Sequence, residues 1–501
     1  NLWRAWVSLF SSMDFCRKRI DMKKLILLLL IPLSILSQEE DVEAKRLVES
    51  FITAYNAEDY QSVFELFSTE MKTALPKKNL KNFLNNLNSN AGKISENDFL
   101  RKENNIVTYK LTFDNWVSQY SFSFNDEKEI SEVFYFDDFQ EPTLPKSAIY
   151  GLPEKEKTIS KAQLELIFEK SKYFPNSSEL SIAFINGDSV NYYGVIRQND
   201  SIIYINNSQH IFEIGSITKL FTANLLAKAV LDNRVKFDEN INDYLRIKIN
   251  KNTKISFKSL ANHTSGLPRM PSNFDDQIDL PENPYKNYDQ SYLEDYLKNF
   301  LKVDKKAIGV PSYSNIGFAI LGYTISKIYE MSYEDLIQQF IFSKFKMNSS
   351  FISADKVDKR LVKGLNEKGD VTSNWDLSAM SSAGGILSNI EDLVSFGTAH
   401  FDESNIELNL LKKKTAKVNE QIDIGIGWHI INSEKSENKW HWHNGGTGGY
   451  SSSMALDFKN KTGVIILSNV SAFNPYQDKI DQLCFELMKT HKDVNGVLYY
   501  E

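Results

Sequence analysis

Cysteine is nearly absent: 2 in 501 residues, at Cys16 and Cys484. That excludes a disulfide framework. Cys484 falls in a stretch with helical spacing and reads as core filling. Histidine is scarce too, with 7 in the chain, which leaves little material for a metal centre. His441 and His443 are alternate residues of a strand-like run, so both imidazoles point to one side. No aspartate or third histidine follows them, only Asn444 and Gly445, and neither a metal nor another cofactor is expected. Positive charge is not in excess: 58 Lys and Arg stand against 65 Asp and Glu, a net charge of −7. A chain of that balance is a poor partner for nucleic acid or an anionic membrane surface.

Long apolar runs are also missing. The longest, LILLLLIPLSILS at 25–37, falls short of the about 20 residues a spanning helix needs. With Met22-Lys23-Lys24 ahead of it and Gln38 behind, it reads as a secretory signal over 22–37. Residues 1–21 then read as an upstream extension, and the expected location is secreted or periplasmic with no stable membrane anchor. Removing 1–37 takes away six basic and two acidic residues, moving the net charge from −7 to −11.

What remains is long enough for more than one core. Residues 41–91 carry apolar positions at helical spacing in three segments. Three alternating, strand-like segments follow: NNIVTYKLTF, NWVSQYSFSF and KEISEVFYFDD. Helices followed by an antiparallel sheet predict a small α+β domain over 41–140, with Tyr109, Trp116 and Tyr120 as core aromatics. It resembles the cone-shaped, nuclear-transport-factor-like domains, a resemblance that implies a ligand pocket or a homodimer contact. The stretch 141–160 has three prolines and a charge run and reads as a linker. A helix at 161–172 and strands at 179–187 and 190–198 open a second domain, 161–495. Strands at 450–458 and 463–470 and a helix near 476–490 close it.

The chemistry concentrates in FEIGSITKLFTANLLAKAVL at 212–231. Ser216 and Lys219 are one helical turn apart, about 5–6 Å at Cβ, so the amine can reach the hydroxyl. A serine is a weak nucleophile until a base lies against it, and a helix N-terminus favours the negative charge that develops there. Ser343 with Lys346 and Ser436 with Lys439 have the same spacing, but neither opens a strongly apolar helix. Downstream, Tyr313-Ser314-Asn315 stands in a Pro/Ser loop before a second apolar helix. A tyrosine acts as a general base where a cation lowers its pKa, and an asparagine amide can hold a carbonyl. His443-Asn444-Gly445-Gly446 leads into an alternating run, and a glycine-lined strand edge lets backbone N–H groups approach a reacting carbonyl.

This ordered set, with LANHTSGLP (260–268), SSAGGILSNIEDLVSF (381–396) and GVIILSNV (463–470), resembles the serine β-lactamase-related family of class C β-lactamases, D-alanyl-D-alanine carboxypeptidases and esterases. The resemblance spans roughly residues 160–490. It implies a three-layer α/β (α+β) fold, an antiparallel sheet flanked by helices, and a serine acyl hydrolase acting on a small-molecule or peptide substrate. Ser216 would be the acylated nucleophile, Lys219 its activator and Tyr313 the general base that later protonates the leaving group. Asn315, His443 and Gly445 would bind substrate, and the backbone N–H groups of Ser216 and Gly446 would form the oxyanion hole. The alternative is a non-catalytic penicillin-recognising sensor or binding protein. His443 stands where the penicillin-binding enzymes usually carry lysine. An imidazole that titrates near 6.5 would favour neutral esters or amides over carboxylated β-lactams at neutral pH. His263, in NHTSG, reads as a buried structural histidine.

Overall fold

The computed structural model describes residues 42–491 apart from 76, 104–105, 116, 126, 137–146, 150–158, 246, 248, 250–253, 279 and 433–438. The upstream extension, the signal segment, Trp116, Ser436 and most of the expected linker lie outside the described residues. The chain divides into two compact units, residues 1–141 and 142–501, each with its own buried apolar cluster.

In the first unit the helix Val42–Asn56 buries Leu47, Val48, Phe51, Ile52 and Tyr55, the i, i+3, i+4 stripe of an amphipathic helix. Short helices Tyr60–Glu65 and Thr69–Ala74 and the longer Lys77–Ala91 follow. The stripe packs on a four-stranded antiparallel sheet in the order β1 (Ile94–Glu103), β2 (Ile106–Phe113), β3 (Val117–Phe124) and β4 (Ile130–Phe136). Phe51 meets Phe122 edge-on at 5.3 Å, and Tyr55 donates to the Gly92 carbonyl at 2.8 Å. Tyr109 and Tyr120 are core residues, 1 % and 2 % exposed. The sequence showed three strands here and the fold has four. β1 escaped because ISENDFLRKE carries Glu96, Asp98, Arg101, Lys102 and Glu103, and lacks the apolar alternation that marks a half-buried strand.

The second unit is built on one ten-stranded sheet, ordered β11-β12-β13-β14-β15-β16-β6-β7-β8-β5. Its strands are β5 (Ser147–Ile149), β6 (Glu179–Asn186), β7 (Ser189–Gln198), β8 (Ser201–Ile205), β11 (Ala416–Lys417), β12 (Ile422–Ile424), β13 (His429–Asn432), β14 (Lys439–Gly446), β15 (Ser451–Asp457) and β16 (Thr462–Ser468). All neighbours are antiparallel except β5, which runs parallel to β8. β5 comes from within the stretch read as a linker. A two-residue pair, β9 (Phe212–Glu213) and β10 (Leu387–Ser388), stands apart.

Every residue of β15 and β16 is buried, so both faces of the sheet centre are covered. Alternate residues enter different layers. Met454, Leu456, Ile465, Leu467, Ala183 and Ile185 join the cluster that holds Leu220 and Phe221 of the helix Thr218–Leu231. On the other face Cys484, from the helix Asp478–Met488, reaches the Val464 carbonyl at 3.5 Å. Cys484 is fully buried and unpaired. The result is a helix–sheet–helix sandwich in which the Thr218–Leu231 helix is buried on nearly every side and therefore central.

Candidate active site

Gly215 sets the position of Ser216. Its φ of +52° lies in the left-handed region, and a Cβ there would stand 2.5 Å from the Gly446 backbone nitrogen. Only glycine allows that approach. The tight turn Gly215–Ile217 runs straight into the helix Thr218–Leu231. From the strand side, a Cβ on Gly445 would collide with the Ile214 carbonyl oxygen. Two glycines facing each other thus bring the serine turn against the end of β14, where Gly446 is exposed.

Lys219 lies one turn beyond Ser216 and is fully buried. Its Nζ is 3.0 Å from Ser216 Oγ, 2.9 Å from Asn315 Oδ1 and 2.6 Å from the Ala383 carbonyl. Burial, with the Arg269 charge adding to it, holds this amine well below its ordinary pKa. The Tyr313 and Phe318 rings lie 4.8 and 5.6 Å from it.

Tyr313 and Asn315 are placed by His263. The Ser312 N–H donates to the His263 carbonyl at 2.8 Å, the Ser314 N–H donates to His263 Nδ1 at 3.1 Å, and the imidazole packs 4.4 Å from the Tyr313 ring. His263 is 2 % exposed and has a positive φ of 61°, which fits its structural reading. Ser314 caps the helix Asn315–Tyr329: its Oγ accepts the Gly317 N–H at 2.9 Å and its hydroxyl donates to the Pro268 carbonyl at 2.6 Å. Burial pushes the Tyr313 phenol up to about 12, opposed by Arg269 and by contact with the Ser216 hydroxyl. The sequence reading needed a tyrosine lowered by a cation; here desolvation wins, and the resting side chain is a phenol.

His443 departs further from expectation. The sequence points to a substrate-facing group titrating near 6.5. It is 0 % exposed, packs 6.4 Å from the Tyr313 ring and 5.4 Å from His429, and has Nδ1 2.6 Å from the Asn444 carbonyl. Burial, with His429 and Lys219 nearby, holds it well below 6.5. It stands neutral behind the tyrosine. His441, its candidate partner on the same side of the strand, has Nε2 on the Lys412 carbonyl at 3.1 Å and packs on Phe458.

Three neighbours were not visible in the sequence. Glu213, three residues before the serine, accepts the Trp375 N–H and the Asn374 side-chain N–H, both at 2.8 Å, and burial pushes its carboxyl up to about 7. Asp481, also raised to about 7 by burial, accepts the Asn444 amide at 2.8 Å and braces the strand next to Gly445. Arg269 has its guanidinium 5.1 Å from the Tyr313 ring, and its carbonyl accepts the Asn315 N–H at 2.9 Å. It follows LANHTSGLP directly, which is the one signal that could have drawn attention to it.

Comparison with known proteins gives the family and the fold. Residues 179–487 match the family described as "Beta-lactamase", and residues 48–132 match "Protein of unknown function (DUF3887)". A β-lactamase of Providencia stuartii is 26% identical over 243 residues, 48% of this chain and 57% of that protein. Penicillin-binding protein 4* of Bacillus subtilis is 25% identical over 304 residues, 54% of this chain and 63% of that protein. The chain therefore spans less than two thirds of the length of these relatives. The β-lactamase/D-alanine carboxypeptidase of Pseudomonas syringae superposes with a TM-score of 0.55 at 19% identity, covering 66% of this chain and 99% of that one, and shares its fold. With the family matched across more than half of its residues, the chain belongs to the β-lactamase family of serine hydrolases.

Proposed function

We propose that this protein is an acyl hydrolase in which Ser216 forms an acyl-enzyme with an ester, a D-amino-acid amide or peptide, or a β-lactam. One observation carries the reading: the buried Lys219 amine has three neighbours, and two of them, Asn315 Oδ1 and the Ala383 carbonyl, can only accept. A neutral amine has two N–H bonds for those two acceptors. Its lone pair is then left for the third neighbour, the Ser216 hydroxyl, and that is the arrangement of a general base on a nucleophile.

In the reaction that follows, Ser216 Oγ attacks the acyl carbon as its proton passes to Lys219. The oxyanion forms beside the backbone N–H groups of Ser216 and Gly446, held together by the Gly215–Gly446 approach. Tyr313, a phenol at rest, delivers its proton to the leaving group and recovers one from the Lys219 ammonium. Water then attacks the acyl carbon as its proton passes to this pair, the bond from that carbon to Ser216 Oγ breaks, and Oγ takes the proton back as the acid leaves. Asn315 holds Lys219 through Oδ1 and has its amide N–H on Met270 Sδ at 3.7 Å, from which it can turn to a substrate carbonyl.

The test is intact-mass analysis after an active-site-directed phosphonate, followed by peptide mapping and by turnover of a chromogenic ester. The expected adduct is on Ser216, and Ser216→Ala removes both labelling and turnover. An adduct on another serine overturns the assignment. A Ser216 adduct without turnover of any ester, D-alanyl peptide or penicillin would make the protein a sensor.

A further inference from the structure

Glu213 is a buried carboxyl with no cation beside it. It is 4 % exposed, and among the described residues nothing positively charged contributes to its proton affinity. Its Oε1 takes the two hydrogen bonds from the 374–375 loop, and the Asn374 amide nitrogen that donates one of them also donates to the Tyr450 hydroxyl at 2.9 Å. Its Oε2 has no hydrogen bond, and neither does the buried Thr447 Oγ1, although the threonine hydroxyl is close enough to favour the carboxylate. One hydrogen between these two oxygens completes the set, supplied by the carboxyl when it is neutral and by the hydroxyl when it is ionised. Thr447 follows Gly446 directly, and a Cβ on Gly448 would stand 2.6 Å from the Trp375 indole nitrogen. Glu213, three residues before Ser216, therefore joins the serine turn, the Trp375 loop and the end of β14 that carries the Gly446 N–H.

We infer that Glu213 is a positioning residue for acyl transfer, working as a neutral acid that holds these three parts together, and that its ionisation slows attack by Ser216. The inference rests on the acyl-transfer reading of that serine. Burial without a cation disfavours a carboxylate, and it raises this carboxyl to about 7, so that small changes around neutral pH decide its state. Once ionised, Glu213 repels the oxyanion that develops beside the Gly446 N–H. The charge does not reach the base: burial and Arg269 set the proton affinity of Lys219, with no contribution from Glu213. The groups packed around it leave the change of state to Glu213. β10, which pairs with it, brings Leu387 and Ser388. The loop brings Asn374 and Trp375, and the exposed Asp376 beyond them accepts the Ser378 N–H at 3.1 Å. The Tyr450 phenol, just before β15, is held above its ordinary range by burial and by Glu213, and keeps its proton near neutral pH.

The test is the pH dependence of kcat/KM between pH 6 and 9 for p-nitrophenyl acetate, an ester that is neutral throughout, followed at the isosbestic wavelength of p-nitrophenol. In the unaltered full chain kcat/KM should fall roughly ten-fold as one buried charge appears, with a midpoint near 7, far below the Tyr313 phenol at about 12. Glu213→Gln keeps an acceptor for the Trp375 and Asn374 N–H groups but cannot ionise. Its profile should lose the fall and hold its pH 6 value to pH 9. Thr447→Val removes the hydroxyl that favours the anion and should move the midpoint to higher pH. A Glu213 that served stability alone would leave the shape of both profiles as in the unaltered protein. No fall near 7 in the unaltered protein, or the same fall in Glu213→Gln, overturns the inference, while a phosphonate adduct on Ser216 leaves the acyl-transfer reading standing. If Glu213→Gln does not fold, Thr447→Val carries the test, and an unmoved midpoint overturns the inference. Absence of both labelling and ester turnover at every pH overturns both readings.

Discussion

At the scale of single residues, the proton economy of the site depends on one buried amine. Lys219 is held well below its ordinary pKa mainly by desolvation, while desolvation drives the Tyr313 phenol the other way, to about 12. The same burial therefore leaves the amine neutral, with its lone pair free, and the phenol protonated at rest, and the two lie 4.8 Å apart, amine to ring. Lys219→Ala and Tyr313→Phe should each lower kcat by roughly 10²–10⁴. The double variant should lose far less than the product of the single losses, because one proton circulates between the two. A double-mutant cycle on ester turnover measures this, and multiplicative losses would mean that the residues act separately. The identities of Ser216, Lys219, Tyr313 and Asn315 were legible because their spacing and helix context are local. Their proton states were not, since burial is a property of the whole fold: it reversed the expectation for Tyr313 and removed the 6.5 titration expected of His443.

At the scale of elements, the site is a junction of a turn and a strand end that are 230 residues apart in sequence. Nothing but glycine fits where they meet. Gly445→Ala would put a methyl group into the Ile214 carbonyl and push the end of β14 away from the serine turn. The backbone N–H of Gly446 would leave the place where an oxyanion forms. Loss of one such donor costs about 10²–10³ in kcat, so the variant should remain labelled by phosphonate far more slowly while keeping its circular dichroism. Unchanged ester kinetics would remove Gly446 from the mechanism. The glycines themselves stood out in the sequence, whereas the contact that makes them necessary is a tertiary one. The same contrast runs through the fold. β15 and β16 were legible as strands from alternation and a turn. β1 was hidden by its charges, β5 by its place among prolines, and β8 by its shortness. Arg269 was hidden for a different reason: what marks it is its place against the Tyr313 ring, and no sequence pattern shows that.

At the scale of the whole molecule, histidine is distributed in one unit only. All 7 lie between His210 and His491, within residues 142–501. Six of them are buried: His263, His400, His429, His441, His443 and His491. Desolvation lowers each, to about 3 for His400 and about 4 for His429, His441 and His491, and well below 6.5 for His263 and His443. In the unfolded chain a histidine takes its proton near 6.5. Between 6.5 and about 4 the unfolded state therefore binds protons that the folded state refuses, and the stability of this unit falls as pH falls. Three groups oppose the trend. Glu213 and Asp481 are raised to about 7 in the folded state and Asp392 is raised by burial as well, so it is the folded state that takes up their protons. Six sites against three leave the histidines dominant. The first unit has its own core and no histidine, and this effect does not touch it. Scanning calorimetry from pH 7.5 to 5 should show two transitions, with the larger, belonging to residues 142–501, moving to lower temperature first. A larger transition that holds its midpoint down to pH 5 would mean that the buried histidines accept protons without unfolding.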